Sequence, residues 1–248
     1  MEGLNKQQKA EYDEAGFVAI EGVLSDAECD HFIDHMVQLA DGSKQLEGFA
    51  PRKIGERGRT HNQHNYDPKA LEYLVLPQLQ APLRDCFDGD EAEGIQTMYF
   101  WEGSEQGRHQ DQFYLPACIS AWLAFMDIDE ANGTIYVQPG SHKKRLLTKA
   151  DFEAGGEFEG VDYNVAVDEL AKHNDLPEIP VRVNKGSVVF FDGRLVHYGG
   201  QIVESGSARH VLANHYIPTS FDDWPHKSWT RHAFDGSVRQ HPLPDTES

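Results

Sequence analysis

From Ile95 to Tyr216 the chain breaks into short β-prone runs divided by turn residues, and this pattern restricts the fold more than any other feature. Ile95–Trp101, Arg108–Tyr114, Ile119–Ile128 and Thr134–Gln138 are strand candidates, with Glu130-Ala131-Asn132-Gly133 as one of the turns between them. A long charged excursion over 143–175, which includes Ala154-Gly155-Gly156, interrupts the series. Strands resume at Ile179–Val183, Ser187–Asp192, Leu195–Tyr198 and Ala208–Tyr216, and the tail after Pro218 reads as irregular. With 248 residues, no internal repeat and no low-complexity linker, one domain over 1–248 is the simplest organisation.

The segment before these strands, about 1–90, is mostly helical. Lys6–Glu14 is a short polar helix, and Gly16–Ile20 is a strand. Ser25-Asp26-Ala27-Glu28 is a capping box: the Ser25 hydroxyl satisfies an early helix N–H and Glu28 reaches back. The helix that follows is expected to bury Phe32, Met36, Val37 and Ala40 and to stop near Gly42. Asp67-Pro68 opens another helix in the N-cap and first-turn positions, and Pro77 divides it from a second one ending near Phe87.

Charge narrows the partners. A net charge of −19 repels phosphate backbones and anionic lipid, so nucleic acid and membrane surfaces are not expected, and a small-molecule substrate is. No apolar run approaches the ~18 residues of a membrane span. The first residues, Met1 to Lys6, lack the pattern of a signal peptide. Cys29, Cys86 and Cys118 are odd in number and widely spaced, which reads as buried thiols of a cytoplasmic protein.

His109-Gln110-Asp111 carries the first chemical signal. On a strand, alternate side chains share a face, so His109 and Asp111 point one way and Gln110 the other. An imidazole and a carboxylate side by side are two legs of a metal site, although a His-x-Asp pair alone is a weak signal and more often a surface pair on a strand. A facial triad of two histidines and one carboxylate leaves positions open on iron(II). His197, after the buried run Gly186–Gly193, is a candidate third ligand, and a structural histidine would be as reasonable at that place taken singly. Arg209 lies twelve residues further on, and its guanidinium can pair bidentately with a carboxylate.

Together these elements resemble the phytanoyl-CoA dioxygenase family. The matching segments are Ile95–Phe100, His109-Gln110-Asp111-Gln112-Phe113-Tyr114, Ala121–Phe125, Asn132-Gly133 and Pro139-Gly140-Ser141-His142, followed by Gly186–Gly193, His197 and Arg209 in order. The resemblance covers about residues 95–216, with a weaker echo at Asp13–Leu24. It implies a mainly β fold with flanking helices, a double-stranded β-helix (jelly roll, cupin-like) over about 91–218. It further implies a dioxygenase that holds Fe(II) through His109, Asp111 and His197 and uses 2-oxoglutarate and O2 as co-substrates, with Arg209 anchoring the oxoacid. Gln96, Tyr99, Gln110 and Trp122 stand where the family lines the co-substrate pocket, whereas Asn132-Gly133 and Pro139–His142 read as turn and scaffold. An intact Asp111 argues against halogenation, in which the carboxylate leg is replaced. Two departures leave the accessory oxoacid contacts open: Glu102 where the family often has lysine, and Gly199 where it often has serine or threonine.

The substrate is less constrained. Arg52, Lys53, Arg57, Arg59, His61, His64 and Asn65 form the most basic stretch of an acidic chain, which suits an anionic or zwitterionic molecule such as an aminoalkylphosphonate. The alternatives are an amino acid, an osmolyte or a natural-product scaffold, and, in another class, a non-catalytic binding protein on the same fold.

Overall fold

A computed structural model describes residues 2–50, 59–101, 106–204 and 206–240. In chain order the elements are α1 (Lys6–Ala15), β1 (Phe17–Ile20), α2 (Asp26–Ala40), α3 (Pro68–Leu74), α4 (Pro77–Cys86), β2 (Ala92–Phe100), β3 (Ile119–Ala124), β4 (Ile135–Val137), α5 (Tyr163–Asn174), β5 (Ile179–Pro180), β6 (Val188–Asp192), β7 (His197–Gly199), β8 (Val211–Pro218), β9 (Thr230–Ala233) and β10 (Val238–Gln240). Seven strands form one sheet in the order β1-β6-β3-β8-β2-β9-β10, and three form a second, β5-β4-β7.

The alternation of side chains along the large sheet separates two cores. One face turns Tyr99, Ala121, Leu123, Phe190 and Leu212 toward Phe32, Met36, Leu39, Leu74 and Leu79 of the N-terminal helices. The opposite face turns Phe100, Trp122, Val189, Phe191, Val211 and Ala213 toward Ile135 and Val137 of the small sheet. The result is a helical layer, a large sheet and a small sheet, with the second core enclosed between the sheets. This is the jelly-roll arrangement, predominantly β with helices on one side.

Local chemistry explains the element ends. Ser25 and Glu28 form the reciprocal cap expected of them, and Asp67 accepts from the Lys69 N–H ahead of α3. At the end of α1, Gly16 has φ +83°, and a Cβ there would stand 2.3 Å from the His142 ring. The buried stripe of α2 is Cys29, Phe32, Met36 and Leu39, whereas Val37 is 41% exposed, so the expected face is rotated by part of a turn.

Three further expectations change. Arg108–Tyr114 is not a regular strand: His109 makes a single bridge to His197, and Asp111–Phe113 is a 3-10 turn. The 143–175 excursion contains α5, capped by Asp162, and packs Leu147, Phe158, Val167 and Leu170 against Val196. The tail after Pro218 forms the β9–β10 hairpin, which extends the large sheet. Cys29, Cys86 and Cys118 are free thiols; Cys29 and Cys118 are buried as expected, whereas Cys86 is only partly buried. Among the described residues no helix is long and apolar enough to cross a membrane.

Candidate metal centre

His109 and His197 lie on neighbouring segments whose backbones exchange both hydrogen bonds, at 3.0 and 3.1 Å, and their rings stand 4.1 Å apart. Several contacts pin this pairing. The Tyr163 hydroxyl of α5 accepts from the Gln110 N–H and donates to the Gln110 carbonyl, and the Asn164 amide donates to the Arg108 carbonyl. Arg108 pairs with Asp168 and Glu178 and stacks over Tyr198 at 4.4 Å. On the other side Ser141 Oγ accepts from the Val196 N–H at 2.9 Å, immediately before His197. The excursion and the Pro139–His142 turn therefore hold the two histidine-bearing segments in register.

Each imidazole donates its Nδ1–H to a backbone carbonyl, His109 to Gly107 at 2.8 Å and His197 to Leu195 at 3.0 Å. A carbonyl only accepts, so the neutral tautomer that these contacts select carries its lone pair on Nε2, the form that ligates a metal. Asp111 Oδ1 lies 3.5 Å from His109 Nε2 and 3.8 Å from His197 Nε2. Both distances fall within the ~4.2 Å that two atoms bound at ~2.1 Å from one ion can span. All three residues are buried and form, among the described residues, a group that can hold a metal ion.

The electrostatics agree with that use. Burial pushes the Asp111 carboxyl up, but the imidazoles of His197, His215 and His109 outweigh it and hold it well below the usual carboxylate range. Burial, with His109 alongside, pulls His197 down to about 4. Near neutral pH the site thus offers an ionised carboxylate and a neutral His197.

The triad opens on a cavity of about 430 Å³ of atom-free space, partly continuous with solvent, walled by Met98, Phe100, Trp122, Ile135 and Phe191. Arg209, two residues before β8, and His215, within it, both line the cavity, as do Gln106 and Gly199. Arg209 is 2% exposed, and its guanidinium donates to the Gly133 carbonyl and lies 5.3 Å from the Phe100 ring. Its Nε has no partner, and no carboxylate pairs with it among the described residues. Burial alone pulls it down to about 10.

The structure brings His109, Asp111, His197, Arg209 and Trp122 together and moves other expected residues away. Tyr99 faces the helices, where its hydroxyl meets His210 Nδ1 at 2.5 Å, because its strand neighbours Met98 and Phe100 take the cavity side. Gln110 is spent on scaffold contacts with the Leu147 N–H and the Arg145 and Arg194 carbonyls. Gln96 is buried one rung beyond the cavity, opposite His215, and does not line it. His64 is buried against Thr97 and His232, and Asn65 is exposed. Arg52, Lys53 and Arg57, and the departure at Glu102, lie outside the described residues.

Among the described residues of the basic stretch, Arg59 reaches the edge of the cavity through Gln106, which lines it. Its Nε donates to His61 Nε2 at 3.0 Å and its Nη1 to Gln106 Oε1 at 2.5 Å, and the guanidinium lies 5.9 Å from the Phe100 ring that Arg209 also approaches. Burial pulls it down and the Asp111 charge opposes this, so it sits in the field of the metal-site carboxylate. Nothing in the sequence singles out Gln106 or His215; their only signals are neighbourhood to His109 and even spacing from Arg209.

Comparison with known proteins gives a consistent result. The model of the phytanoyl-CoA dioxygenase (PhyH) family matches residues 12–211. Phytanoyl-CoA dioxygenase 1 of Oryza sativa subsp. japonica is 30% identical over 202 residues, covering 75% of this chain and 64% of that protein. The peroxisomal phytanoyl-CoA dioxygenase of Rattus norvegicus is 26% identical over 244 residues, covering 86% and 68%. The chain thus spans about two thirds of the length of these relatives. Among solved structures, EctD from S. alaskensis has a TM-score of 0.69 at 20% identity, covering 88% of this chain and 77% of that one. The carbocyclase SnoK from nogalamycin biosynthesis has a TM-score of 0.67 at 21% identity, covering 92% and 86%. These likenesses show the shared fold, and the family match adds descent: the chain belongs to the phytanoyl-CoA dioxygenase family, a family of 2-oxoglutarate-dependent non-haem iron dioxygenases.

Proposed function

We propose that His109, Asp111 and His197 hold iron(II), that Arg209 anchors 2-oxoglutarate, and that the protein hydroxylates an unactivated C–H bond of a small anionic or zwitterionic molecule. The observation that carries this reading is Arg209, a buried guanidinium without a carboxylate partner among the described residues, facing the same cavity as the triad. A charge so placed is costly unless an anion completes it. When bound, the iron supplies the oxidising power, drawing on O2 and the conversion of 2-oxoglutarate to succinate.

The chain's own residues bind, orient and exclude. Nε2 of each histidine and Oδ1 of Asp111 converge on one point, with tautomers set by the Gly107 and Leu195 carbonyls. Arg209 offers a paired-donor edge to a carboxylate, braced by the Gly133 carbonyl and the Phe100 ring. Phe100, Trp122, Phe191 and Ile135 keep bulk water from the reacting atoms. Gly199 lines the same cavity and presents no side chain to it.

For the substrate, Arg59 with His61 and Gln106 presents a cationic group beside the cavity, near the Phe100 ring that Arg209 also approaches. A phosphonate or carboxylate group would meet it there, which supports an aminoalkylphosphonate-like molecule. Three unpaired thiols suit the reducing cytoplasm. A panel of aminoalkylphosphonates, amino acids and osmolytes, scored by succinate formation and product mass, tests the reading. A +16 Da product from an anionic member supports it. Coupled turnover only with cationic or neutral members refutes the anionic class.

A further inference from the structure

Asp111 turns its two oxygens to different neighbours. Oδ1 faces the two ligating nitrogens, at 3.5 and 3.8 Å. Oδ2 accepts from Ser120 Oγ at 2.8 Å and lies 3.4 Å from Nε2 of His215. Ser120 is fully buried and His215 is 2% exposed. The two are direct cross-strand partners in the β3–β8 register, so one rung of the large sheet delivers both groups to the same oxygen. Nδ1 of His215 has no hydrogen-bond partner among the described residues, which leaves Asp111 as the polar group its ring addresses.

Apart from Gln96, the partner of His215 on β2, the strand positions around them on this inner face carry Trp122, Ala124, Val189, Phe191, Val211 and Ala213. A serine and a histidine on an apolar face are unfavourable unless they are hydrogen-bonded, and packing alone would be served by apolar residues. Their placement therefore has to be explained by Asp111. An ionised carboxylate offers ~four acceptor sites over two oxygens, and a cation can take one oxygen or both.

We propose that Ser120 and His215 are positioning residues that restrict Asp111 to coordination through Oδ1 alone, so that the ion keeps the positions the oxoacid and oxygen need. This rests on the reading of Asp111 as a metal ligand. Ser120 makes the shorter contact and is the stronger restraint, and His215 the weaker.

Co(II) titration of the metal-free protein, with its visible absorption spectrum and the thermal unfolding of the metal-free form, tests this without turnover. Ser120→Ala and His215→Phe are each expected to weaken Co(II) binding about 10- to 100-fold and to change the spectrum, with Ser120→Ala the more affected. The unfolding temperature of the metal-free variants stays near wild type. His215→Gln, whose amide N–H can reach Oδ2, restores the wild-type spectrum. Wild-type affinity and spectrum in both Ser120→Ala and His215→Phe, with binding lost in Asp111→Ala, overturns the proposal and leaves the triad standing. Weaker binding with an unchanged spectrum and no rescue by His215→Gln also overturns it, because that is a general packing effect. Wild-type Co(II) binding by Asp111→Ala removes the metal-ligand reading itself.

Discussion

Arg209→Met separates a binding arginine from a structural one, because the two roles predict opposite signs for stability. Burial lowers Arg209 from 12.5 to about 10, so its charge costs the folded protein ~3 kcal/mol relative to water. Two contacts offset part of this. The hydrogen bond to the Gly133 carbonyl and the stacking on Phe100 are worth ~1 kcal/mol each. Methionine fills a similar volume without a charge, so the oxoacid-free variant should gain ~1–2 kcal/mol, or roughly 2–6 °C in Tm for a chain of this size. The same change removes the charge-assisted pair with 2-oxoglutarate, and its apparent KM should rise about ten- to hundredfold. Thermal unfolding with and without 2-oxoglutarate reads both effects: the wild type is stabilised by the oxoacid and Arg209→Met is not. A lower Tm together with an unchanged oxoacid constant would show that Arg209 is structural and that another cation holds the co-substrate.

Two further outcomes follow from the site and its surroundings. Arg59→Gln should raise the KM of an anionic prime substrate by roughly tenfold, while the constants for iron and 2-oxoglutarate stay near wild type; steady-state kinetics with each component varied would expose a wrong assignment. His64 is held neutral, with burial and then His232 lowering it to about 3, below its unfolded value of 6.5. The unfolded chain therefore takes the proton first, and the stability His64 contributes is present above pH 6.5 and falls by up to ~1.4 kcal/mol per pH unit on acidification toward 3. His64→Gln should flatten urea-derived stability against pH between 5 and 6, and an unchanged slope would mean that His64 is solvated.

The group of His109, Asp111 and His197 that could hold a metal was legible in the sequence because these residues carry scarce chemistry in a fixed order, and the same pattern led to Arg209 and Trp122, which line the adjoining cavity. The reasoning about His109 and Asp111 was nevertheless incomplete. They meet through the His109–His197 backbone pairing and a 3-10 turn at Asp111, not along a regular strand. Tyr99 and Gln110 were misplaced because proximity in sequence does not settle which way a side chain turns. Met98 and Phe100 fix Tyr99 on the helical side, and three backbone groups 35 to 84 residues away claim Gln110. Contacts that depend on register, such as Ser120 with His215 or Arg59 with Gln106, are invisible until the strands are paired. Two missed elements did leave signals: Asp162 caps the apolar stripe of α5, and Asp235-Gly236 marks the β9–β10 turn.

The most direct test of the metal assignment is succinate formation from 2-oxoglutarate by wild type and by His109→Ala, Asp111→Ala and His197→Ala, each assayed with and without added iron(II) under air. Wild type should form succinate only with iron(II) and oxygen, and each variant should fall to background while keeping the wild-type circular dichroism spectrum. Near-wild-type, iron-dependent succinate formation by any folded variant would contradict the assignment of that residue as a ligand.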